Sequence, residues 1–207
     1  IAMIAIGSVG YGQSSKAVKI DRLVSGLAAS GHFSGQVTAS ENSKIIYDKA
    51  FGLANADFKI PNATNTRIGI ASVTKPMTSV ILFRLIEAGK IKLEDPLSKY
   101  IADFPSGDRI TINMLHIHRA GIPHRVMPPE MESVPVTSAE MVEKVKQAKL
   151  VFEPGTQRLY SSAGFAVLAR VLEIVSGKPY AQLLKEYVFA PAEMKDSIDP
   201  EGGAVIE

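Results

Sequence analysis

The sequence predicts an α+β fold, with antiparallel strands in its first part and a long run of helices after them. Three observations lead to this prediction: an amphipathic helical segment at 16–30, two adjacent strand-like segments at 33–39 and 44–51, and helical periodicity from residue 72 onward. Because strands and helices do not alternate along the chain, a doubly wound parallel sheet is disfavoured.

Composition limits both the architecture and the function. The 207 residues are 46% hydrophobic and 21% charged, which is typical of a globular protein with enough apolar material for one large domain or two small ones. The net charge of +2 argues against a dedicated nucleic-acid binder. Cysteine is absent, so disulfides, thiolate metal sites and cysteine nucleophiles are excluded.

Residues 1–13 are predicted to be the remnant of a signal peptide. Residues 1–6 are apolar, and the small residues Gly10 and Gly12 follow them, as they would near a cleavage site. A hydrophobic N-terminal strand is the alternative. The run is far shorter than the roughly 20 apolar residues needed to span a bilayer, and no other segment is apolar for long enough to cross a membrane. We therefore expect an exported protein, periplasmic or secreted, without a transmembrane segment.

Residues 14–207 are expected to form one partial domain, of which 14–71 carries a helix and the first strands. Gly31 is predicted to end the helix, whose apolar residues recur at i, i+3, i+4 and i+7: Ile20, Leu23, Val24 and Leu27. The two strand-like segments flank the turn-like residues 40–43, which predicts an antiparallel hairpin. Residues 55–65 are predicted to be mostly loop.

Residues 72–207 are predicted to be mainly helical. From Met77 to Ile86, apolar side chains cover nearly the whole helical circumference, which predicts a central, buried helix ended by Gly89. Further helices are predicted over 111–119, from a capping box of Thr137 and Glu140 to about 149, around 165–175 before Gly177, and after Pro179. We expect no further strand pair after Ile70, so the sheet is predicted to be incomplete within this sequence.

The tetrapeptide from Ser72 to Lys75 has the spacing of a nucleophile and its base. Positions i and i+3 share one face of a helix, so the serine hydroxyl and the lysine amine can meet. The N-terminus of the helix would stabilise the charge that develops on the attacking oxygen. On spacing alone, a capping serine beside a surface lysine is the favoured interpretation. Context supports a functional pair, because a lysine held near Met77 and Ile81 would be costly without a role.

A second candidate segment runs from residue 152 to 162. It begins with a Pro-Gly turn at 154–155, and Tyr160 then leads into the helix around 165–175. A tyrosine can act as a general acid or base when a nearby cation lowers its pKa. From the residues alone, a core aromatic and a serine helix cap at Ser161 or Ser162 are the favoured interpretations.

His116 and His118 form an H-x-H pair, a pattern that can indicate a metal site. On a helix, however, residues i and i+2 point about 200° apart and cannot chelate one ion together. We therefore expect no metal site. We also expect no cofactor, and the sequence contains neither a G-x-x-x-x-G-K-[ST] loop nor a G-x-G-x-x-G fingerprint. His118 is predicted to be a structural hydrogen-bonding residue near a helix end.

Taken together, these motifs resemble those of the serine β-lactamase-related family, which includes class C β-lactamases, D,D-carboxypeptidases and penicillin-binding-type esterases. The resemblance covers most of the chain after about residue 16. Its segments follow the family's order: 70–76 (IASVTKP), 93–97 (LEDPL), 110–123, 152–161 and 189–196. It implies the β-lactamase/transpeptidase-like fold, an antiparallel sheet flanked by helices beside an all-helical region, with the C-terminal strands missing here.

By this resemblance, Ser72 is the acylated nucleophile, Lys75 its partner in proton transfer, and Tyr160 the second acid/base group. Ser162 stands where the family's Y-x-N motif usually has asparagine, and it would contact the substrate with a shorter reach. The implied reaction transfers an acyl group from an amide or ester of a small molecule or peptide to serine, and then to water. β-Lactam, D-Ala-D-Ala peptide and simple ester substrates all remain open.

The family's third motif, [KH]-[TS]-G, is absent from the sequence. In the family it lies on a later strand that supplies the second oxyanion N–H, and losing one such donor costs roughly 10²–10³ in rate. We therefore expect the sequence to be the N-terminal part of a serine acyl-hydrolase, truncated at its C-terminus. The alternatives are a non-catalytic binding or sensor module of the same fold, or an inactive fragment.

Overall fold

One helix and all the described strands come first in the chain and the remaining helices follow, without βαβ alternation, which confirms the predicted α+β class. A computed structural model of the protein describes residues 15–128 and 136–199. These divide into two compact units, one up to Ile68 and the other from Gly69. The predicted leader at residues 1–13 lies outside the described residues. Within them, no helix is both long and apolar enough to cross a membrane.

The first unit contains a helix and a β-hairpin at the predicted positions. Helix α1 spans Ser15–Ala29, and Gly31 follows it with a φ of +74°, the left-handed conformation expected after a helix end. Strands β1 (Gly35–Glu41) and β2 (Lys44–Phe51) pair antiparallel, with a register shift between Ala39 and Ser40. The predicted hairpin is therefore confirmed.

A second, shorter hairpin lies partly in the region predicted to be loop. Strand β3 (Leu53–Asn55) pairs with β4 (Ile60–Pro61), and the Asn55 side-chain oxygen accepts the N–H of Phe58 at 2.8 Å within the connecting turn. Strands of two or three residues are too short to show alternation, so periodicity does not reveal them. The Asn55 side chain closes the turn between them.

The second unit is helical in its described residues. A 3₁₀ turn at Ala71–Val73 leads directly into α2 (Thr74–Glu87). The later helices are α3 (Ile112–His116), α4 (Ser138–Lys146), α5 (Ser162–Ser176) and α6 (Tyr180–Leu184), and α6 continues into one turn of π-helix at Lys185–Phe189. After Pro61 the described residues add only an isolated bridge between Pro96 and Thr111 to the strand pairing.

Local signals set several of these helix ends. Thr137 and Glu140 form the predicted capping box at the start of α4, with the Thr137 N–H donating to the Glu140 carboxylate at 2.7 Å. Gly177 ends α5 with a φ of +69°. Thr111 caps α3 by accepting the N–H of Met114 at 3.2 Å. These signals need no distant contact, which is why the sequence reveals them.

Helix α5 is the centre of the core, and the prediction that α2 is buried on all sides is wrong within the described residues. α5 packs against α2, α3, α4 and α6. On α2, the side chains of Ile81, Leu82 and Leu85 are fully buried, whereas Val80 and Phe83 are 43% and 44% exposed. The two exposed residues lie on the other side of the helix. An apolar circumference therefore does not by itself imply burial on every face.

Candidate active site

Ser72 and Lys75 lie beside each other at the start of α2. Lys75 Nζ donates to Ser72 Oγ at 3.1 Å, as the i, i+3 spacing predicts. Ser72 is part of the 3₁₀ turn that precedes the helix and is exposed. Ala71, immediately before it, has a φ of +45°, which turns the chain sharply into the helix. A substrate can therefore approach the serine hydroxyl from solvent.

Lys75 reaches from α2 to the start of α5. Its Nζ donates to Ser162 Oγ at 3.3 Å and lies 4.9 Å from the centre of the Tyr160 ring and 5.6 Å from that of Phe165. Aromatic faces attract a cation at such distances. Besides Ser72, these contacts of the amine come from α5 and from the loop before it.

Tyr160 completes the group of predicted catalytic side chains. The pKa of its phenol is lowered by its polar interaction with Lys75 and, to a lesser extent, with the Ser72 hydroxyl, while burial acts in the opposite direction. Tyr160 is 41% exposed, so it is accessible to solvent, as Ser72 is. A lowered pKa makes the phenolate easier to form, as a general base requires. The other three predicted site residues, Ser72, Tyr160 and Ser162, therefore all lie next to Lys75.

Tyr160 is placed by hydrogen bonds between two segments that are distant in the sequence. We call residues 118–124 the docking segment and residues 150–163 the tyrosine segment. Several N–H groups of the tyrosine segment donate to carbonyls of the docking segment, among them Val151 to Gly121 and Gly155 to Arg119, both at 2.8 Å, and Leu159 to His118 at 3.0 Å. The Arg119 guanidinium also donates to the Gly155 carbonyl.

Gly121 allows the two segments to approach this closely. It has a φ of +79°, and a Cβ built on it would lie 2.3 Å from the carbonyl oxygen of Phe152. A side chain is therefore excluded both by backbone conformation and by space. The glycine at this position is therefore needed for the docking of the two segments.

The start of α5 is held by a serine cap and by the end of the docking segment. Ser161 Oγ accepts the N–H of Gly164 and donates to the carbonyl of Pro123, both at 2.8 Å. The Ser162 N–H donates to the His124 carbonyl at 3.2 Å. The predicted serine cap is therefore Ser161, and it leaves the hydroxyl of Ser162 for the contact with the lysine.

His116 and His118 face different parts of the site. His116 Nε2 lies 3.0 Å from Ser79 Oγ on α2, whereas His118 Nδ1 accepts the N–H of Ser161 at 3.2 Å. Burial lowers the pKa of both imidazoles. The two rings therefore connect α3 to α2 and to the tyrosine segment. No group of three or more potential metal ligands occurs in residues 15–128 and 136–199.

Comparison with known proteins extends this picture. A family model described as Beta-lactamase matches residues 20–198. The chain is similar to the D-alanyl-D-alanine-carboxypeptidase/endopeptidase AmpH of Escherichia coli (strain K12), with 40% identity over 139 residues that cover 63% of this chain and 36% of AmpH. It is also similar to the teichoic acid D-alanine hydrolase of Staphylococcus aureus (strain MRSA252), with 28% identity over 179 residues that cover 86% of this chain and 43% of that protein.

A solved structure supports the same relationship. A penicillin-binding protein from Bacillus halodurans is similar, with a TM-score of 0.74 and 30% identity over 84% of this chain and 56% of that one. The chain thus spans less than half the length of the two curated relatives. Because the family model takes in most of the described residues of both units, the chain belongs to the Beta-lactamase family, as the resemblance of its motifs predicts.

Proposed function

We propose that the protein is a serine acyl-hydrolase that works through an acyl-serine intermediate. The observation that carries this proposal is the position of Lys75 Nζ, which contacts Ser72 Oγ and Ser162 Oγ and lies against the ring of Tyr160. A nucleophilic hydroxyl beside two groups that can exchange protons is the arrangement that acyl transfer to serine requires.

Acylation would begin with attack of Ser72 Oγ on the carbonyl carbon of an amide or ester. As the new C–O bond forms, the hydroxyl proton passes to the basic pair of Lys75 and Tyr160. The same pair returns a proton to the leaving nitrogen or oxygen when the original bond breaks. The Ser72 N–H supplies one hydrogen bond to the oxyanion, since it lies in the turn before α2.

Hydrolysis of the acyl-enzyme would reverse the same proton transfers. A water molecule attacks the acyl-serine ester and loses a proton to the basic pair, and Ser72 Oγ recovers a proton as it leaves. The products are a free acid and the regenerated serine. Ser162 Oγ contributes by holding Lys75 at the boundary between α2 and α5 and by offering the substrate a hydroxyl where the family usually has an amide.

The substrate class follows from the relatives by analogy. One relative is named for cleavage of D-alanyl-D-alanine peptides and another for removal of D-alanine from teichoic acid. We propose that this protein acts on an acyl group of that kind, as an amide, an ester or a β-lactam, and that it is exported to the periplasm or secreted, where such substrates occur.

Covalent labelling tests the proposal. The protein would be incubated with a fluorescent penicillin and, separately, with an activated aryl ester, and the adduct located by mass spectrometry of peptides. We expect one acyl group on Ser72, none in Ser72→Ala, and normal labelling in Ser40→Ala, which alters an exposed serine of β1. Labelling that persists in Ser72→Ala, or that maps elsewhere, would overturn the assignment.

A second candidate function is a binding or sensor module that reacts once without turnover. The observation that favours it is Ser162, which stands where the family usually has asparagine. Following the adduct over time separates the two functions. Release of the acyl group as free acid supports the hydrolase, whereas an adduct that persists indefinitely on Ser72 supports the sensor.

A further inference from the structure

His118 occupies a position where glycine is the usual residue. α3 ends at His116, and the N–H groups of His118 and Arg119 donate to the carbonyls of Leu115 and Met114 at 3.3 and 2.7 Å. These two bonds form a Schellman motif with His118 at C′. Its φ is +62°, a conformation that is unfavourable for a residue with a Cβ. Ending the helix does not explain a histidine here, because glycine would do that better.

The side chain and backbone of His118 together bracket Tyr160. The His118 carbonyl accepts the N–H of Leu159 at 3.0 Å, and its Nδ1 accepts the N–H of Ser161 at 3.2 Å. These are the two residues on either side of the tyrosine. The His118 ring also lies 4.6 Å from the Tyr160 ring and 5.0 Å from that of Phe165. One residue therefore bonds to the peptide groups on both sides of the tyrosine and also contacts its ring.

The ionisation state of His118 fits this role. Nδ1 can accept a hydrogen bond only while it carries no proton. Burial lowers the pKa of the imidazole, and the positive charges of Arg158 and Lys75 and the neighbouring His116 lower it further. A neutral ring, whose unprotonated Nδ1 can accept the Ser161 N–H, is thereby favoured at neutral pH.

We propose that His118 is a positioning residue for Tyr160, which it holds against Lys75 and Ser72. It acts through the tyrosine and does not touch the reacting atoms. This inference rests on the proposed function, because it assigns a purpose to the placement of the phenol. It goes beyond the predicted structural role, since it requires the Nδ1 acceptor as well as the left-handed backbone.

Two substitutions separate positioning from helix termination. His118→Gly keeps the left-handed backbone and removes the ring with its acceptor. His118→Asn also suits this backbone, and its side-chain oxygen can replace Nδ1 as the acceptor for the Ser161 N–H. Glu193→Gly is the matched control, because Glu193 is another residue with a positive φ, of +54°. Thermal unfolding of each variant would establish that it folds.

The main experiment measures acylation of Ser72 by an aryl ester, with the maximal rate separated from the substrate dissociation constant. We expect His118→Gly to lose roughly 10²-fold in maximal rate, the effect of a misplaced catalytic group, with the dissociation constant nearly unchanged. His118→Asn should recover a large part of that loss, and Glu193→Gly should resemble the unaltered protein. A folded His118→Gly variant that reacts at the normal rate would overturn the inference while leaving the proposed function intact.

A second measurement does not depend on turnover. With tyrosine labelled by ¹³C at Cζ, Tyr160 can be assigned from the signal that disappears in Tyr160→Phe and then titrated. In His118→Gly the pKa of Tyr160 should return towards the ordinary value of a tyrosine, because the phenol no longer stays beside Lys75. His118→Asn should restore the lowered pKa. If Ser72 is never acylated, this titration still decides the inference: an unchanged pKa in His118→Gly overturns it.

Discussion

The two halves of the candidate site are held in place by different means. Ser72 and Lys75 are three residues apart, and one turn at the start of α2 brings them within 3.1 Å. Tyr160 is placed instead by bonds between the tyrosine segment and the docking segment, whose partners are about 40 residues away, such as Ser161 and His118 with a separation of 43. The first half is local geometry, and the second depends on tertiary structure.

This difference indicates how each half should respond to mutation. A substitution on the α2 side removes a chemical group and leaves the fold intact. A substitution in the docking segment leaves every catalytic group present but moves one of them. A variant of the docking segment that destabilises the protein but leaves the acylation rate of its folded fraction unchanged would contradict this distinction.

The largest effect is expected from Lys75→Met. It removes the amine that contacts both serines, and loss of a positioned acid/base group lowers rates by roughly 10²–10⁴-fold; we expect the upper part of that range. The stability should change little, which melting curves would check. Lys90→Met, at an exposed lysine beyond the end of α2, serves as the control. A Lys75→Met variant with a nearly normal acylation rate would remove the lysine from the mechanism.

Tyr160→Phe is expected to have the next largest effect, a loss of about 10²-fold in acylation rate. The pKa of the phenol is lowered chiefly by Lys75, and the phenolate is the basic form. The acylation rate of the unaltered protein should therefore rise with pH as the phenol ionises. The variant should lack this rise. If both proteins show the same pH profile, Tyr160 is not the group that titrates.

Gly121→Ala tests the docking of the two segments by its effect on stability. The new Cβ would clash with the Phe152 carbonyl oxygen, and the alanine would also have to adopt a positive φ. We therefore expect the free energy of unfolding to fall by about 3 kcal/mol. Gly177→Ala is the matched control. Its φ is +69° but no atom lies within 4 Å of the new Cβ, so only the backbone cost of about 1 kcal/mol remains. Equal losses in the two variants would show that the close approach is unimportant.

The smallest expected effect is a pH dependence of stability that comes from His116 and His118. Burial lowers the pKa of both in the folded protein, so the unfolded chain binds protons more readily. Their contribution is therefore fully favourable above the ordinary histidine pKa of about 6.5, and it declines as the pH falls through that value towards the lowered ones. Urea unfolding at a series of pH values between 5 and 8 measures it. The decline should be smaller in His116→Gln.

Much of the secondary structure could be predicted because its signals are local. The helix caps at Thr137 and Gly177, the β1–β2 hairpin and the meeting of Ser72 with Lys75 each follow from residues within a few positions of one another. The β3–β4 hairpin could not be predicted, since its strands are too short to show a pattern. Which faces of α2 are buried could not be predicted either, because apolar content does not show which faces pack against other elements.

By itself, the sequence determined the fold class, the family, and the pairing of a serine with a lysine on one turn of helix. Those features depend on periodicity, motif order and short-range geometry, all of which are present in the chain before it folds. Only the tertiary structure decided that Tyr160 and Ser162 meet that pair and that His118 contacts the residues on both sides of the tyrosine. Hydrogen bonds between distant segments set these positions, and no local pattern specifies which distant carbonyl an N–H will find.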